Sequence, residues 1–198
     1  VPAAQTAFIT GTNVLIVPFL MPLFKLGRPH IKDIFLAILC LIGLYILTGA
    51  NLAGLQIGDI WVLACAMCFA LSLIVVQALS RRNVPYPLLT FYQIAFTLPF
   101  VAIGGPLAAP HVFLISDVWI ALLFCAIFGT AVAFYFQMYA QQQISAAKTA
   151  LIFTLEPICA SIFAWLINGE PITRYVVVGG LLILGSIILA ELWPRRLR

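Results

Sequence analysis

Charge is what this sequence has least of. Asp, Glu, Lys and Arg make up 8% of its 198 residues, against about 25% in ordinary soluble domains. That shortage excludes a soluble α/β or all-β domain. Histidine is nearly missing too: His30 and His111 both fall between apolar segments, and no H-E-x-x-H zinc motif occurs. No G-x-x-x-x-G-K-[ST] phosphate loop is present, so the chain does not read as an ATPase. The five cysteines, Cys40, Cys65, Cys68, Cys125 and Cys159, all sit inside apolar runs. Cys65-x-x-Cys68 has no second pair and no nearby histidine, so it reads as small thiols facing helices or lipid. No disulfide framework, metal or cofactor is expected.

What fills the chain instead is apolar: 64% of its residues are hydrophobic. Seven continuous apolar segments can be drawn, over Ala3–Phe24, Ile31–Thr48, Gly58–Leu79, Pro87–Gly104, Val118–Gln141, Ala146–Ile167 and Tyr175–Leu192. Each is near the length of about 20 residues that a helix needs to cross a hydrocarbon core. The runs are continuous rather than alternating, which predicts helices and not a β-barrel. The fold class is therefore an all-α integral membrane protein of about seven transmembrane helices. Turn residues punctuate the breaks, at Gly27-Arg28-Pro29, Asn51 to Gly54, Asn83-Val84-Pro85, Gly104-Gly105-Pro106 and Gly169-Glu170-Pro171. The chain opens at Val1 and enters an apolar helix without a basic stretch, so this first segment is not a signal peptide, and the protein is expected to start upstream.

The net charge of +4 suggests a nucleic-acid partner, but the placement of the charges argues against one. Lys25, Arg28, Lys32, Arg81, Arg82, Lys148, Arg195, Arg196 and Arg198 flank the spans on one side, and Arg174 alone lies on the other. Under the positive-inside rule this predicts a cytoplasmic C-terminus and an odd number of spans. The partners expected are the lipid bilayer and a small-molecule substrate.

The chain also echoes itself. Ala3-Ala4-Gln5-Thr6-Ala7-Phe8-Ile9 aligns with Ala146-Ala147-Lys148-Thr149-Ala150-Leu151-Ile152, and Leu41-Ile42-Gly43-Leu44 with Ile183-Leu184-Gly185-Ser186. Between them, with a one-residue slip, Gly27-Arg28-Pro29 meets Gly169-Glu170-Pro171. The charge pattern gives the paired spans opposite directions. Inverted-topology repeats are a recurring plan of secondary transporters, with the substrate site at the repeat interface near mid-membrane. Five spans close the second repeat, so the first is expected to hold three more before Val1.

Ala146-Ala147-Lys148-Thr149-Ala150-Leu151, then Leu155-Glu156-Pro157, Asn168-Gly169-Glu170-Pro171 and Gly179-Gly180-Leu181-Leu182-Ile183-Leu184-Gly185 together resemble the closing part of the EamA-type domain of the drug/metabolite transporter superfamily. The match is specific over roughly the last fifty residues and looser from Gly58 to Gln143. The resemblance implies ten helices in two inverted repeats, alternating access for small metabolites such as amino acids or drugs, and a bacterial inner-membrane location. On that plan residues 1–50 close the first repeat with two helices, 58–193 form the second with five, and 194–198 are a basic cytoplasmic tail. One departure stands out: Asn13-Val14 occupies the place of Glu156-Pro157.

Glu156 is the leading candidate for transport chemistry. It lies about ten residues into its span, near mid-depth at about 1.5 Å per residue. A central acid costs about 2.5–3.5 kcal/mol to insert, so it must face an interior, a partner or water. Pro157 removes the donor that would meet the Phe153 carbonyl. Two readings stand side by side: a coupling or binding carboxylate, or a group that satisfies a broken helix. Asn13, Tyr92, Gln93, Tyr135, Gln137 and Tyr139 are the further candidates, with Gln77 also in mid-span. Amides and phenols suit a neutral or zwitterionic ligand, although interhelical hydrogen bonds of about 0.6 kcal/mol explain a lone glutamine as well. Tyr175, Trp193, Trp119, Trp61 and Trp165 are expected as interfacial anchors. A secondary carrier is the leading function; an intramembrane enzyme or a non-transporting scaffold is the alternative.

Overall fold

The computed structural model describes residues 3–27, 29–49, 56–108 and 116–192. Arg28, the Asn51 to Gly54 break, His111, Trp193 and the basic tail with Arg195, Arg196 and Arg198 lie outside the described residues. The described residues are helical, with no strand among them. In order they form α1 (Ala3–Gly11), α2 (Asn13–Leu20), a 3₁₀ turn (Met21–Phe24), α3 (Ile31–Thr48), α4 (Ile57–Ser80), α5 (Tyr86–Ala108) and α6 (Ser116–Phe124). A π-helical segment (Cys125–Val132), α7 (Ala133–Gln141), α8 (Ala146–Phe153), α9 (Glu156–Asn168) and α10 (Arg174–Leu192) follow.

Among the described residues, six helices or helix pairs are long and apolar enough to cross a membrane: Gln5–Phe24, Ile31–Thr48, Ile57–Ser80, Trp119–Gln141, Ala146–Ile167 and Arg174–Leu192. They match six of the seven expected segments. The protein is a multi-pass membrane protein. The other expected segment, Pro87–Gly104, differs. Its apolar stretch, Tyr86–Ala102, is shorter than the rest, and α5 runs on through Gly104-Gly105-Pro106 to Ala108. The expected break there is thus absent, since Gly only weakens a helix and does not by itself end one. The segment ending at Gln141 is not uniform either. Cys125–Val132 widens to π geometry, and Thr130 Oγ1 donates to the Cys125 carbonyl five residues back at 3.2 Å. Such bulges recur at functional sites.

The chain divides into two compact units, residues 1–75 with 145–198, and residues 76–144. In the first, Val14, Val17, Cys40, Leu44, Ala66, Ala70, Ala150 and Ile183 are buried between α2, α3, α4, α8 and α10. Helices α3 and α10 come closest. A Cβ built on Gly179 would lie 2.5 Å from the Gly43 carbonyl oxygen and 2.6 Å from the Leu47 nitrogen. Only glycine permits that approach, which replaces the missing hydrophobic drive between helices in lipid. Gly49 and Gly169 end α3 and α9 in the left-handed region, with φ of 59° and 68°. At Gly169 the amides of Gly169 and Glu170 donate back to Trp165 and Ala164, closing the helix end.

The paired spans run in opposite directions within this unit. One small cavity groups Pro18 near the end of α2 with Ala147 at the start of α8, and Asp33 of early α3 with Ala190 of late α10. At the far end, a second cavity groups Ala7 of α1 with Ala164 of α9, and Leu47 of late α3 with Val176 of early α10. Each helix of a pair therefore starts where its partner finishes.

In the second unit, Val76, Leu89 and Met138 form a small core, with Leu79, Val84 and Tyr86 packed on it. Large apolar side chains elsewhere are exposed, among them Phe96, Phe100, Ile120 and Phe124. A surface of this kind suits lipid as its solvent.

Candidate functional site

Two spans of the first unit are broken, and the breaks fall within one residue of each other in the register of the repeat. Between α1 and α2, Thr12 turns: its amide donates to the Ile9 carbonyl at 3.1 Å and its hydroxyl to the same carbonyl at 2.6 Å. Between α8 and α9, Thr154 does the same, its amide to Leu151 at 3.2 Å and its hydroxyl at 2.6 Å. Threonine competes with the helix ladder in this way because its short hydroxyl reaches its own backbone. Pro157 then withholds a donor from the Phe153 carbonyl, fixing the second break. Thr154 Oγ1 also lies 3.0 Å from the Cys40 sulfur. With the threonine proton already given to Leu151, the thiol donates, and α3 is tied to the break.

Directly after the turns come Asn13 and Glu156, and the structure brings both to one cavity. It measures about 350 Å³ and is lined by Ala7, Thr10, Gly11, Asn13, Leu44, Cys65, Ala66, Phe69, Phe153, Thr154, Glu156, Pro157 and Ala160. The Phe69 and Phe153 rings meet edge to face, 5.4 Å apart. Glu156 is exposed rather than packed in protein, and no described side chain pairs with it. Asn13 is only 6% exposed, and its Oδ1 has no hydrogen-bond partner among the described residues. Three of the expected site residues, Glu156, Pro157 and Asn13, thus share a wall. The adjoining cavity, about 430 Å³, shares Ala7, Pro157 and Ala160 with the first and reaches Glu170 at the loop after α9.

The other candidates belong to the second unit. Tyr135 and Tyr139 lie on one face of α7, and Tyr86 packs edge to face on both, at 5.2 and 5.4 Å. The Tyr135 hydroxyl donates to that of Tyr86 at 3.4 Å. Tyr86 was not among the expected residues; its place beside Pro85 at a helix start carried no signal of its own. Gln137 is buried and donates to Gln141 Oε1 at 3.4 Å, a bond within one helix rather than across helices. Tyr92 is exposed and sits between Phe91 and Phe96, and Gln93 is half-buried on α5.

Sequence reasoning also passed over Asp59. It is 5% exposed in the first turn of α4 and accepts from Gln5 Nε2 at 2.9 Å and from the Gln56 amide at 2.6 Å. An acid two residues inside an apolar run was the available signal. Lys148, which aligns with Gln5, pairs instead with Glu191 at 2.6 Å. The repeat thus pins the first turn of each broken span to an acid from another helix, once by an amide and once by an ammonium.

Comparison with known proteins agrees with this architecture. An uncharacterized transporter of Archaeoglobus fulgidus is 29% identical over 96% of this chain and 61% of its own length. A second uncharacterized transporter of that organism is 23% identical over 82% of the chain and 58% of its own length. A chloroplastic WAT1-related protein of Arabidopsis thaliana is 29% identical over 68% of the chain and 33% of its own length. The chain thus spans about three-fifths of the two archaeal relatives. A solved crystal structure superposes with a TM-score of 0.83 over 99% of this chain and 69% of its own, at 19% identity, which speaks for the fold alone. The model of the EamA-like transporter family matches residues 56–192. That match takes in most of the sequence, and the chain belongs to the EamA-like transporter family.

Proposed function

We propose that this protein is a secondary transporter that carries a small organic solute across the membrane by alternating access, with the cavity at Asn13 and Glu156 as its solute site. The observation that carries the reading is the pairing of two broken spans on one cavity. Helix breaks are costly in lipid and are kept where the freed groups line a cavity. Discontinuous helices meeting at the interface of inverted repeats are the arrangement that secondary carriers use for binding. Glu156 supports it further, because its carboxylate makes no bond to the break and so does not serve merely to satisfy the helix.

On this reading residues 1–50 close one repeat and residues 58–193 form the other. The C-terminus faces the cytoplasm of a bacterial inner membrane, as the distribution of basic residues suggests. Chemistry on the solute is not part of the proposal: a carrier returns its solute unchanged on the far side. Tyr86, Tyr135 and Tyr139, with Tyr92, Gln93 and Gln137, are proposed as secondary contributors to solute handling.

Counterflow of labelled small solutes into proteoliposomes of the full-length protein tests the reading. Glu156→Gln is expected to leave insertion and yield unchanged and to lower the initial rate about 100-fold, equivalent to about 2.7 kcal/mol. Equal initial rates in the parent and the variant across pH would remove Glu156 from the mechanism.

A further inference from the structure

We propose that the cavity selects an organic cation: a solute with an amine or ammonium group on an apolar body large enough to meet an aromatic ring. This rests on the reading of the cavity as the solute site and adds the class of solute. Among the described residues Glu156 is the one charged side chain on the cavity wall, and no described lysine or arginine stands there to receive an anion. Asn13 contributes a second acceptor. Its Oδ1 is buried without a donor among the described residues, a state that is unfavourable until something donates to it. An ammonium group brings several N–H donors to a carboxylate and a carbonyl oxygen together. Asn13 itself lines the cavity.

The apolar part of the wall points the same way. Phe69 and Phe153 stand edge to face on it, and cations are drawn to aromatic faces by the ring quadrupole. A volume of about 350 Å³ lies at the small end of ligand pockets and suits a single-ring amine.

The opposite selectivity has one argument in its favour, the start of α9, since helix N-termini attract anions. Here that position is already taken by a carboxylate, Glu156 itself. The backbone donors of the turns are also spent within their own helices, Thr12 on Ile9, Thr154 on Leu151 and Leu155 on Ile152. An anion entering the cavity meets a like charge at Glu156, and the amides of Thr12, Thr154 and Leu155 are already engaged.

Three probes of matched shape separate the cases: 2-phenylethylamine, 2-phenylethanol and phenylacetate. Their binding to the full-length protein in nanodiscs is measured by calorimetry, and their counterflow in proteoliposomes, both near neutral pH. The amine is expected to bind at least about ten-fold tighter than either other probe. Glu156→Gln is expected to erase that preference, Glu156→Asp to keep it at weaker affinity, and Asn13→Ala to weaken the amine about five-fold, with thermal unfolding confirming folded variants. Phenylacetate binding as tightly as the amine, amine binding that survives Glu156→Gln, or no binding of any probe overturns the cation assignment. Each of these leaves the carrier reading standing if other solutes still exchange. An amine that binds through Glu156 but never crosses the bilayer keeps the cation site and removes the carrier.

Discussion

The α1–α2 span and the α8–α9 span turn within one residue of each other in the repeat register and with nearly the same bonds, yet they present different chemistry to the cavity. Thr12 and Thr154 each fold a hydroxyl back onto the carbonyl three residues earlier at 2.6 Å. After the first turn comes a buried amide, and after the second an exposed carboxylate backed by proline. Geometry has been held across the repeat while charge has not. On the proposed carrier reading, both halves bend alike while a single charge serves to grip the solute. A second carboxylate in so small a space would meet the first at close range and hold one of the two protonated.

That contrast can be broken experimentally, and the largest effect is expected on its charged side. Glu156→Gln should cost about 100-fold in transport, as set out above, whereas Asn13→Ala should cost about ten-fold, or about 1.4 kcal/mol. Initial rates of the two variants compared side by side check the ranking. Equal losses would mean that the halves contribute alike and that charge is incidental.

Stability should show a smaller asymmetry at the turns themselves. Thr154→Val removes a buried hydroxyl that also accepts from Cys40, so it strands the thiol as well as the turn. About 1–2 kcal/mol of destabilisation is expected there, against about 1 kcal/mol or less for Thr12→Val. Thermal unfolding in one detergent compares them. If Thr12→Val proves the more damaging, the tie between α3 and the second break has been overvalued. Smallest of all should be Pro157→Ala, which returns a donor to Phe153. It is expected to change stability by no more than about 1 kcal/mol, because the regained donor offsets the entropy that proline removes from the unfolded chain, while slowing transport several-fold, because the span loses its bend. Faster transport in that variant would show that the bend hinders the cycle.

Much of this was legible in the sequence. Shortage of charge and long apolar runs give the spans, since lipid leaves helices as the only way to satisfy a backbone within one segment. The A-A-x-T-A repeat gave the pairing of spans, and the structure shows those pairs running in opposite directions. Glu156-Pro157 announced the second break, because proline cannot donate. The first break has no proline at the turn, so Thr12 carried no signal of a break in the sequence. The reach of α5 past Gly104 was misread, because glycine marks a turn only where the backbone needs it. Asp59 was passed over for another reason. An acid near the end of a span normally faces water, and only the packing of Gln5 against it shows that this one is buried.

The most direct test of a shared cavity is to exchange the two side chains. Asn13→Glu combined with Glu156→Asn moves the carboxylate from one broken span to the other without changing its number. Initial counterflow rates should be lowest in Glu156→Asn alone and recover at least about ten-fold in the double variant, since both positions border one space. A double variant no faster than Glu156→Asn alone, with folding intact, would contradict the account: the carboxylate would then be needed at its own position rather than in the cavity that both breaks share.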